Sequence, residues 1–520
     1  MIEAKTLKGT IELSDRDVEG FRRRLVGRLL LPGHDGYDDA RTIWNRMIDR
    51  RPALIARCAG VDDIAHAVRF AREHDLLLSV RGGGHNVTGA SVCDGGLMIE
   101  TSLMKAVRVD AAGRRVTVEP GLTWKDFDVA TQPFGLATTG GIVSSTGVPG
   151  LTLGGGHGWL ARKHGLTCDN LISARIVTAD GAIVTANADE HPDLFWAIRG
   201  GGGNFGVVVS FEFRLHPVTH VVAGSRLYPM TRAADVLAFY REYASAAPDD
   251  LTVYVLITVW SDGRPVIAIV PCYNGPPERA DEILRPLERL GAPLLDTVRR
   301  VPYGEWQTML DATNTPGAWY YKSGYLDDGK VRDERFIDTL LGQCDFASPS
   351  PFSRIVIEHL GGAVGRVAPD ATAFTHRTGT FDLIVIAGNF RPDETDKNVA
   401  WARRAWSAMR SFMSGGVYVN YLDADEGAER VKAAYGPTYE RLQSVKRRYD
   451  PDNILRLNHN IRAQSEFGDS NASVASRMKM PPGCRPRRHA GAGAAGGAVG
   501  RREKVLSTSY PRCAFTQLGG

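Results

Sequence analysis

The spacing of apolar residues changes several times along the chain and predicts an order of helices and strands. Residues 15–50 fit a helix, a Gly/Asp loop and a second helix over RTIWNRMIDR. Between residues 52 and 217 the pattern is strand, helix, strand and then short strands separated by glycine turns. Helical spacing is clearest in VDDIAHAVRFAREHD. Runs bounded by turn residues predict the strands RRVTVEP, ARIVTAD, AIVTA and GVVVSFEFRL.

A second region, residues 219–426, alternates strand-like and helix-like segments. The predicted strands are TVYVLITVW, PVIAIVPCY, SRIVIEHL, FDLIVIAGNF and GVYVNYL. The predicted helices are AADVLAFYREYAS, RADEILRPLERL, ERFIDTLLGQC and NVAWARRAWSAMRSFM. Such alternation predicts a sheet with helices over one face. Residues 427–463 then carry a last helix, AERVKAAYGPTYERLQSVKRRYD, and a Pro/Asn turn.

Length and composition indicate a soluble enzyme of two or three domains. A chain of 520 residues is too long for one hydrophobic core, and 43% apolar with 23% charged residues is ordinary for a globular protein. No apolar run approaches the roughly 20 residues that span a bilayer, and the N-terminus lacks the apolar core of a signal peptide. These features predict a cytoplasmic protein without a membrane partner. The seven scattered cysteines contain no CxxC pair, so no metal site is predicted.

The net charge of +4 comes from the end of the chain. From residue 464 onward there are nine Lys or Arg and three Asp or Glu, and subtracting that surplus of six leaves −2 for the first 463 residues. A mildly acidic folded part does not support a nucleic-acid partner. Residues 464–520 are rich in Ala, Gly, Pro and Arg without periodicity, which predicts disorder. A basic interaction tail is the alternative.

Three glycine-rich loops stand out: RGGGHN at 81–86, LTLGGGHG at 151–158 and RGGGGNFG at 199–206. The first follows the apolar run LLLSV, which predicts a buried strand. Glycines let backbone N–H groups approach an anionic ligand closely, although each loop alone could be a tight turn. The G-x-G-x-x-G of the third loop leads into a strand instead of a helix, which excludes a Rossmann site. Together the loops predict a long ligand held between β-elements.

The segments around these loops resemble a known family. Four of them carry the likeness in the family's order: RGGGHNVTG, VEPGLTWKDF, GIVSSTGVPGLTLGGGHGWLARKHGLTCDNL and LFWAIRGGGGNFGVV. They resemble the FAD-binding domain of the p-cresol methylhydroxylase (PCMH) and vanillyl-alcohol oxidase superfamily, and most of all the berberine bridge enzyme-like (BBE-like) oxidoreductases. The resemblance implies an α+β fold, with a PCMH-type FAD-binding domain and a substrate domain whose antiparallel sheet is covered by helices. The implied segments are an N-terminal extension (1–37), the FAD-binding domain (38–218), the substrate-binding domain (219–426), a BBE-like segment returning to the FAD domain (427–463) and the tail (464–520).

The resemblance places FAD along the glycine loops and makes His85 its covalent anchor. In the family, the histidine matching His85 is bonded to the 8α-methyl carbon of the flavin; a loop histidine beside noncovalent FAD is the alternative. The other residues expected to contact the cofactor are Arg81, Gly82, Gly83, Gly84, Asn86, Val87, Ser144, Ser145, Thr146, Gly147, Gly154, Gly155, Gly158, Gly206, Val207, Val208 and Asn458. Many relatives add a bond from a cysteine. Val143 occupies that position here, which predicts a single attachment.

The resemblance locates the catalytic base in GVYVNYL. Family members use a tyrosine of a Y-x-N-Y strand, which matches Tyr418 and Tyr421. Residues three apart on a strand face opposite sides, so one of the two should face the flavin, and the resemblance favours Tyr421. Supporting groups of the family are replaced, a tyrosine by His157, and a Lys and a Gln approximately by Leu383 and Val385. With an ordinary pKa of about 6.5, His157 is either an alternative base or a packing residue beneath the isoalloxazine.

These expectations describe an oxidase with covalent FAD that acts on a small molecule. Hydride leaves a substrate C–H bond while a base takes the hydroxyl or amine proton. Thr146 lies where family oxidases have a smaller residue than family dehydrogenases, which predicts O2 as the acceptor and H2O2 as its product. The expected substrate is an amine or an alcohol, either a sugar or a secondary metabolite, and the apolar replacements favour the less polar choices. A dehydrogenase with another acceptor and a flavin-binding protein without turnover are the alternatives.

Overall fold

The computed structural model describes residues 1–260, 262–344, 350, 352–389 and 391–463. The prediction of a disordered tail over 464–520 lies outside these residues. No helix in the described part of the chain has the length and apolar character that crossing a membrane requires.

The first half of the described chain consists of short strands and short helices. Its strands are β1 (Ile2–Lys5), β2 (Thr10–Leu13), β3 (Arg28–Leu30), β4 (Leu54–Arg57), β5 (Leu78–Arg81), β6 (Leu97–Glu100), β7 (Val107–Asp110), β8 (Arg115–Val118), β9 (Leu136–Ala137), β10 (Leu171–Val177), β11 (Ile183–Ala186), β12 (Val207–Arg214) and β13 (His216–Pro217). Its helices are α1 (Asp15–Arg22), α2 (Tyr37–Arg41), α3 (Val61–Glu73), α4 (Trp124–Thr131), α5 (Val148–Leu153), α6 (Ala161–His164) and α7 (Pro192–Ala197).

Strand β5, which leads into the first glycine loop, lies at one edge of a four-stranded sheet ordered β3-β4-β6-β5. β6 runs parallel to β4 and to β5. The chain returns across the sheet twice, through α3 between β4 and β5 and through residues 82–96 between β5 and β6. A five-stranded antiparallel sheet, β11-β10-β12-β8-β7, shares a buried cluster with α3 through Val177 and Val207. The predicted helix over 61–75 and the four predicted strands of this region are confirmed.

The second half supplies the remaining elements. Its strands are β14 (His220–Ala223), β15 (Arg226–Pro229), β16 (Leu251–Val259), β17 (Pro265–Tyr273), β18 (Leu295–Asp296), β19 (Arg299–Pro302), β20 (Ala318–Tyr325), β21 (Arg354–His359) and β22 (Phe381–Asn389). Its helices are α8 (Ala233–Ser245), α9 (Ala280–Leu284), α10 (Tyr303–Trp306), α11 (Arg335–Leu341), α12 (Ala363–Arg366), α13 (Thr395–Met409), α14 (Ala428–Tyr435) and α15 (Tyr439–Tyr449).

One face of the second-half sheet is covered by helices, and the other faces the first half. The strands run antiparallel in the order β18-β15-β17-β16-β21-β22-β20, with β14 paired to β17 and β19 paired to β14. Val253 and Val255 of β16 pack in a core with α8, α11 and α13. Their neighbours Tyr254 and Leu256 join a cluster that contains Trp44 of the first half. The antiparallel sheet with helices on one side confirms the predicted α+β fold.

One predicted helix is wrong, and another is interrupted. RTIWNRMIDR is not helical beyond Arg41, because Asn45 bonds to both halves: its Nδ2 donates to the carbonyls of Val87 and Trp319 at 2.8 and 2.9 Å. The last predicted helix is split into α14 and α15 at Gly436, whose φ is +50°. A positive φ ends a helix, and the proline that follows cannot extend one.

Residues after α14 return to the first half and hold the third glycine loop. The buried ammonium of Lys446 donates to the carboxylate of Asp450 at 2.6 Å and to the carbonyl oxygen of Asn204 at 2.8 Å. Asp450 also accepts the backbone N–H groups of Ile454 and Leu455, both at 2.9 Å. These bonds fix the chain segment that follows onto the third glycine loop.

Candidate active site

A cavity of about 290 Å³ lies where the two halves meet. Glycine-loop backbone borders it on the first-half side, and the helix-free face of the sheet borders it on the other. His157, Tyr418 and Tyr421 line this cavity. So do many of the residues predicted to contact the cofactor, namely Gly82, Gly83, Gly84, His85, Asn86, Val87, Thr146, Gly147, Gly206, Val207, Val208 and Asn458.

The first glycine loop and the segment around Gly147 approach each other backbone to backbone. A Cβ atom on Gly83 would lie 2.4 Å from the nitrogen of Gly147, and one on Gly147 would lie 2.4 Å from the nitrogen of Gly83. Gly84 has a φ of +71°, a conformation that strains other L residues. Glycine is therefore required here for the chain to close around the cavity.

Six residues predicted to contact the cofactor lie off the cavity lining: Arg81, Ser144, Ser145, Gly154, Gly155 and Gly158. The guanidinium of Arg81 donates to the Ala40 carbonyl. Ser144 donates to Asp311 through its N–H at 2.9 Å and through its hydroxyl at 2.6 Å. Gly155, at a φ of +120°, packs against the ring of Phe374. Some glycines of the second glycine loop thus pack against other parts of the protein instead of lining the cavity. The sequence alone does not distinguish these glycines from ones that contact a ligand.

The imidazole of His85 lies between Ser145 and Trp44. Its Nε2 is 2.8 Å from the Ser145 hydroxyl oxygen, and its ring stacks on Trp44 with centroids 4.8 Å apart. Trp44 stacks in turn on Trp319 of the second half, also at 4.8 Å. Burial lowers the pKa of His85 to about 4, so the ring is neutral near neutral pH and retains a nucleophilic nitrogen lone pair.

The segment GVYVNYL is not a strand, and this corrects the expectation for its two tyrosines. Val419–Tyr421 forms a 3₁₀ turn in which the Tyr421 N–H donates to the Tyr418 carbonyl at 3.0 Å. Residues three apart in such a turn lie on the same side. Tyr418 and Tyr421 therefore both line the cavity, and their rings meet edge to face with centroids 4.8 Å apart.

The hydroxyl groups of the two tyrosines have different partners. The Tyr418 oxygen accepts hydrogen bonds from the N–H of Gly156 at 2.9 Å and from Nδ2 of Asn420 at 2.8 Å. The Tyr421 hydroxyl donates to Glu358, with 3.3 Å between its oxygen and Oε1. Burial raises the pKa of both phenols above the ordinary value of 10.0. Tyr418 thus supports the second glycine loop, whereas Tyr421 is hydrogen-bonded to a carboxylate that also lines the cavity.

Glu358 and Asp382 are site residues that sequence reasoning missed. They face each other on the neighbouring strands β21 and β22 and are 1% and 0% exposed. The only signal was one acidic residue inside each of two largely apolar strands. His157 lies beside them, with its Nδ1 3.4 Å from Oε2 of Glu358. One nitrogen or oxygen atom of each of the three residues lies within 4.8 Å of those of the others.

Burial controls the protonation of these three groups. It raises the pKa of Asp382 to about 8. It also raises the pKa of Glu358 well above its ordinary value, with the charge of Asp382 as the next cause. Burial lowers the pKa of His157 to about 4. An imidazole with so low a pKa is a weak proton acceptor near neutral pH, so the Tyr421–Glu358 contact is the stronger candidate for proton removal.

The second-half wall of the cavity is mostly apolar. Residues facing it alternate along each strand with residues facing the helices. The wall consists of Tyr254, Leu256, Tyr321, Arg354, Val356, Ile384 and Ile386, next to Glu358. Leu383 and Val385, expected at the positions of the family's Lys and Gln, pack in the helix-covered core instead. The residues of β22 that meet a ligand are their neighbours, which are also apolar.

These features fit FAD. The Gly83–Gly147 approach leaves backbone instead of side chains along one part of the cavity, as the diphosphate of a dinucleotide requires. The neutral ring of His85 and the hydroxyl of Tyr421 both border the same cavity. A flavin held there has a nucleophilic nitrogen and a proton acceptor within one site.

Comparisons with known proteins agree with this geometry. Residues 52–187 match the family model described as FAD binding domain, and residues 417–462 match the model described as berberine and berberine like. The chain is 33% identical over 451 residues to an FAD-linked oxidoreductase of Dictyostelium discoideum, which covers 86% of this chain and 96% of that protein. It is 30% identical over 455 residues to (R)-6-hydroxynicotine oxidase of Paenarthrobacter nicotinovorans, which covers 84% and 97%.

Solved structures show the same fold. That of 6-hydroxy-D-nicotine oxidase from Arthrobacter nicotinovorans matches with a TM-score of 0.77 at 29% identity, over 85% of this chain and 98% of that chain. Berberine bridge enzyme from Eschscholzia californica also has a TM-score of 0.77, at 22% identity, over 87% and 100%. The protein is therefore a member of the berberine bridge enzyme-like FAD-linked oxidoreductases, within the PCMH and vanillyl-alcohol oxidase superfamily.

Proposed function

We propose that this protein is an oxidase that takes hydride from a small amine or alcohol with a largely apolar skeleton. The observation that carries the proposal is the contact between Tyr421 and Glu358 at the wall of the FAD cavity. This contact gives a substrate hydroxyl or amine a proton acceptor inside the cavity. When bound, FAD supplies the two-electron acceptor and passes the electrons to O2, which gives H2O2.

The cavity wall supports this class of substrate. Leu256, Val356 and Ile384 offer aliphatic surface and Tyr254 offers an aromatic ring, which suits an apolar body with few polar groups. An oligosaccharide would leave many hydroxyls against this surface without hydrogen bonds. A similar protein is named for oxidation of a hydroxylated nicotine, and we propose a substrate of comparable polarity.

The protein's own residues handle the substrate proton. Tyr421 receives it on its oxygen while donating its own proton to Glu358, so a high pKa of the phenol is no obstacle. Tyr418 is not suited to this step, because its oxygen already accepts two hydrogen bonds. His157 packs against the Tyr418 ring at 4.5 Å and remains neutral.

Anaerobic mixing of the holoenzyme with cyclic amines, aromatic alcohols and sugars tests the proposal. An amine or an apolar alcohol is expected to bleach the flavin, and admission of O2 is expected to restore the yellow colour with one H2O2 per bleached flavin. Bleaching by sugars alone would contradict the substrate class. Very slow recovery in O2, measured by stopped flow, would contradict an oxidase and indicate a dehydrogenase.

We also propose that His85 is the single covalent anchor of the FAD. Its neutral ring borders the cavity, and its Nδ1 has no hydrogen-bond partner among the described residues. Bond formation joins an imidazole nitrogen to the 8α carbon and releases two protons and two electrons, which O2 takes up as H2O2. Val143 lines the cavity without a thiol, and Cys168 is buried off its lining.

Replacing His85 with Ala is expected to convert bound flavin from acid-stable to acid-extractable. Unmutated protein precipitated with acid should stay yellow, whereas His85→Ala protein should release its flavin into the supernatant. His34→Ala, at an exposed histidine, is the control and should retain the colour. Free flavin released from the unmutated protein would refute the covalent bond without testing the oxidase activity.

A further inference from the structure

A polar row crosses the cavity-facing side of the second-half sheet. Strands β20, β22 and β21 place Tyr325, Asp382 and Glu358 side by side in register. Tyr254 of β16 lies on the other side of Glu358, and burial together with the charge of Glu358 raises the pKa of its phenol. Along β22, the next residue on this side after Asp382 is the apolar Ile384. The two carboxyl groups therefore lie in a narrow polar band within an apolar wall.

The two carboxyl groups lack a neighbouring cation in the part of the chain that the structure describes. No Lys or Arg there forms an ion pair with either one, and the histidine beside Glu358 is neutral. Among the described residues, neither carboxylate oxygen of Asp382 has a hydrogen-bond partner. Arg430 attracts Asp382 only from a distance and is bonded to Glu426. Two adjacent carboxylates in so dry a site do not both ionise.

We propose that Glu358 and Asp382 act as one proton-holding unit, which holds one proton at rest and takes up a second from the substrate through Tyr421. The hydrogen bond from the Tyr421 hydroxyl favours the ionised form of Glu358, so the substrate proton enters the pair at Glu358. Asp382, whose oxygens have no hydrogen-bond partner among the described residues, shares the resting proton with Glu358. The proposal rests on the oxidase function proposed above.

The proton balance of one turnover closes without an external acid or base. The substrate O–H or N–H bond breaks, its proton binds the Tyr421 oxygen, and the Tyr421 proton moves to Glu358. The hydride leaves the substrate carbon in the same oxidation. Reduction of O2 to H2O2 then consumes two electrons and two hydrogens, one of them the stored proton, and the pair returns to its resting state.

The groups around the pair do not compete for this proton. Burial is the largest cause of a raised pKa in every tyrosine on which the charge of Glu358 also acts. These tyrosines are Tyr240, Tyr254, Tyr321, Tyr325, Tyr418 and Tyr421. His157 has its pKa lowered to about 4. The pair therefore holds its proton without competition from these neighbours.

A first experiment needs no substrate. The pKa of Asp382 rises from 3.8 in the unfolded chain to about 8 in the folded protein, so between these values the folded state keeps a proton that the unfolded state releases. The contribution of Asp382 to the free energy of unfolding is therefore expected to fall as the pH rises from about 4 to about 8. Comparison with Asp382→Asn isolates this contribution from the buried histidines, whose lowered pKa values act in the opposite direction. Denaturant unfolding of the holoenzyme over this range gives the number of protons retained.

Substitutions in the pair test whether it acts as one unit. Asp382→Asn and Glu358→Gln keep the shapes of the side chains, and each removes one charge. Because repulsion between the two carboxylates raises the proton affinity of both, the protons lost in the two single variants should together exceed the loss in the double variant. The proposal would be overturned if the double variant lost as many protons as the two single variants together. One tightly bound divalent cation per chain in the purified protein would also overturn it, since the cation would neutralise the pair in place of the proton.

A second experiment uses a substrate that bleaches the flavin. Glu358→Gln is expected to slow flavin reduction by about 10²–10⁴-fold and to abolish the loss of rate at acid pH. Asp382→Asn, whose amide imitates the protonated acid, should keep most of the rate. Asp128→Asn is the matched control: Asp128 is buried off the cavity lining with its pKa raised to about 7, so it should change proton retention but not flavin reduction. An unchanged acid limb in Glu358→Gln would overturn the relay even if the protein is an oxidase.

Discussion

Replacing Tyr421 with Phe is expected to slow reduction of the flavin by substrate by about 10²–10⁴-fold, the usual contribution of a positioned acid or base. The variant loses the hydroxyl that donates to Glu358, whose Oε1 lies 3.3 Å away. Its stability should change by only about 1 kcal/mol, because a single hydrogen bond is removed. Anaerobic stopped flow measures the rate, and denaturant unfolding measures the stability.

Tyr418→Phe is the matched control, with the opposite balance of effects. It leaves the buried N–H of Gly156 without its acceptor, which is expected to cost about 1–3 kcal/mol of stability. The rate of flavin reduction should fall much less than in Tyr421→Phe. A greater loss of rate in Tyr418→Phe than in Tyr421→Phe would show that Tyr418, and not Tyr421, transfers the proton. A greater loss in His157→Ala at every pH would make the imidazole the base.

Gly83→Ala is expected to give a folded protein that contains almost no FAD. The added Cβ atom would lie 2.4 Å from the backbone nitrogen of Gly147, so the two segments must separate where they border the cavity. The backbone of Gly147 cannot move away from the new methyl group as the end of a flexible side chain could. The ratio of flavin to protein absorbance after purification measures the loss, and circular dichroism checks that the protein has folded.

Gly82→Ala provides the comparison from the same loop. Its added Cβ atom would lie 3.4 Å from the Pro120 carbonyl oxygen and from the Pro149 ring, at about the limit of ordinary contact. This variant should therefore bind FAD nearly as the unmutated protein does. Equal flavin content in the Gly82 and Gly83 variants would show that the close approach of the two segments is not needed for binding.

Most of the fold was predictable because burial repeats at regular spacing. The mostly apolar run of β16, which is buried on both faces, and the helical spacing of α3 both predicted the observed elements. The prediction failed where contacts between distant segments decide the local structure. Asn45 belongs to a segment with helical spacing, but its side chain bonds to carbonyls of Val87 and Trp319, and no local pattern reveals those partners.

The site was predictable in its glycine loops and less so on the opposite wall. A glycine string after a strand identifies a cofactor loop, because few other demands need so much bare backbone. GVYVNYL alternates as a strand does, yet it forms a turn that brings Tyr418 and Tyr421 to one side. Glu358 and Asp382 come from strands that are adjacent in the sheet but distant in sequence. Their pairing follows from strand order, which one sequence does not specify.

The border of the FAD cavity is completed by residues from late in the chain. Tyr418, Tyr421, Tyr435 and Asn458 all line it, whereas His85 and the first glycine loop are translated long before them. A nascent chain that has just exposed these glycines on the ribosome has only part of the pocket. The complete binding site for the flavin therefore exists only after the second-half sheet and the segment after it have been synthesised. FAD is needed when the polypeptide is nearly finished, not when the glycine loops first appear.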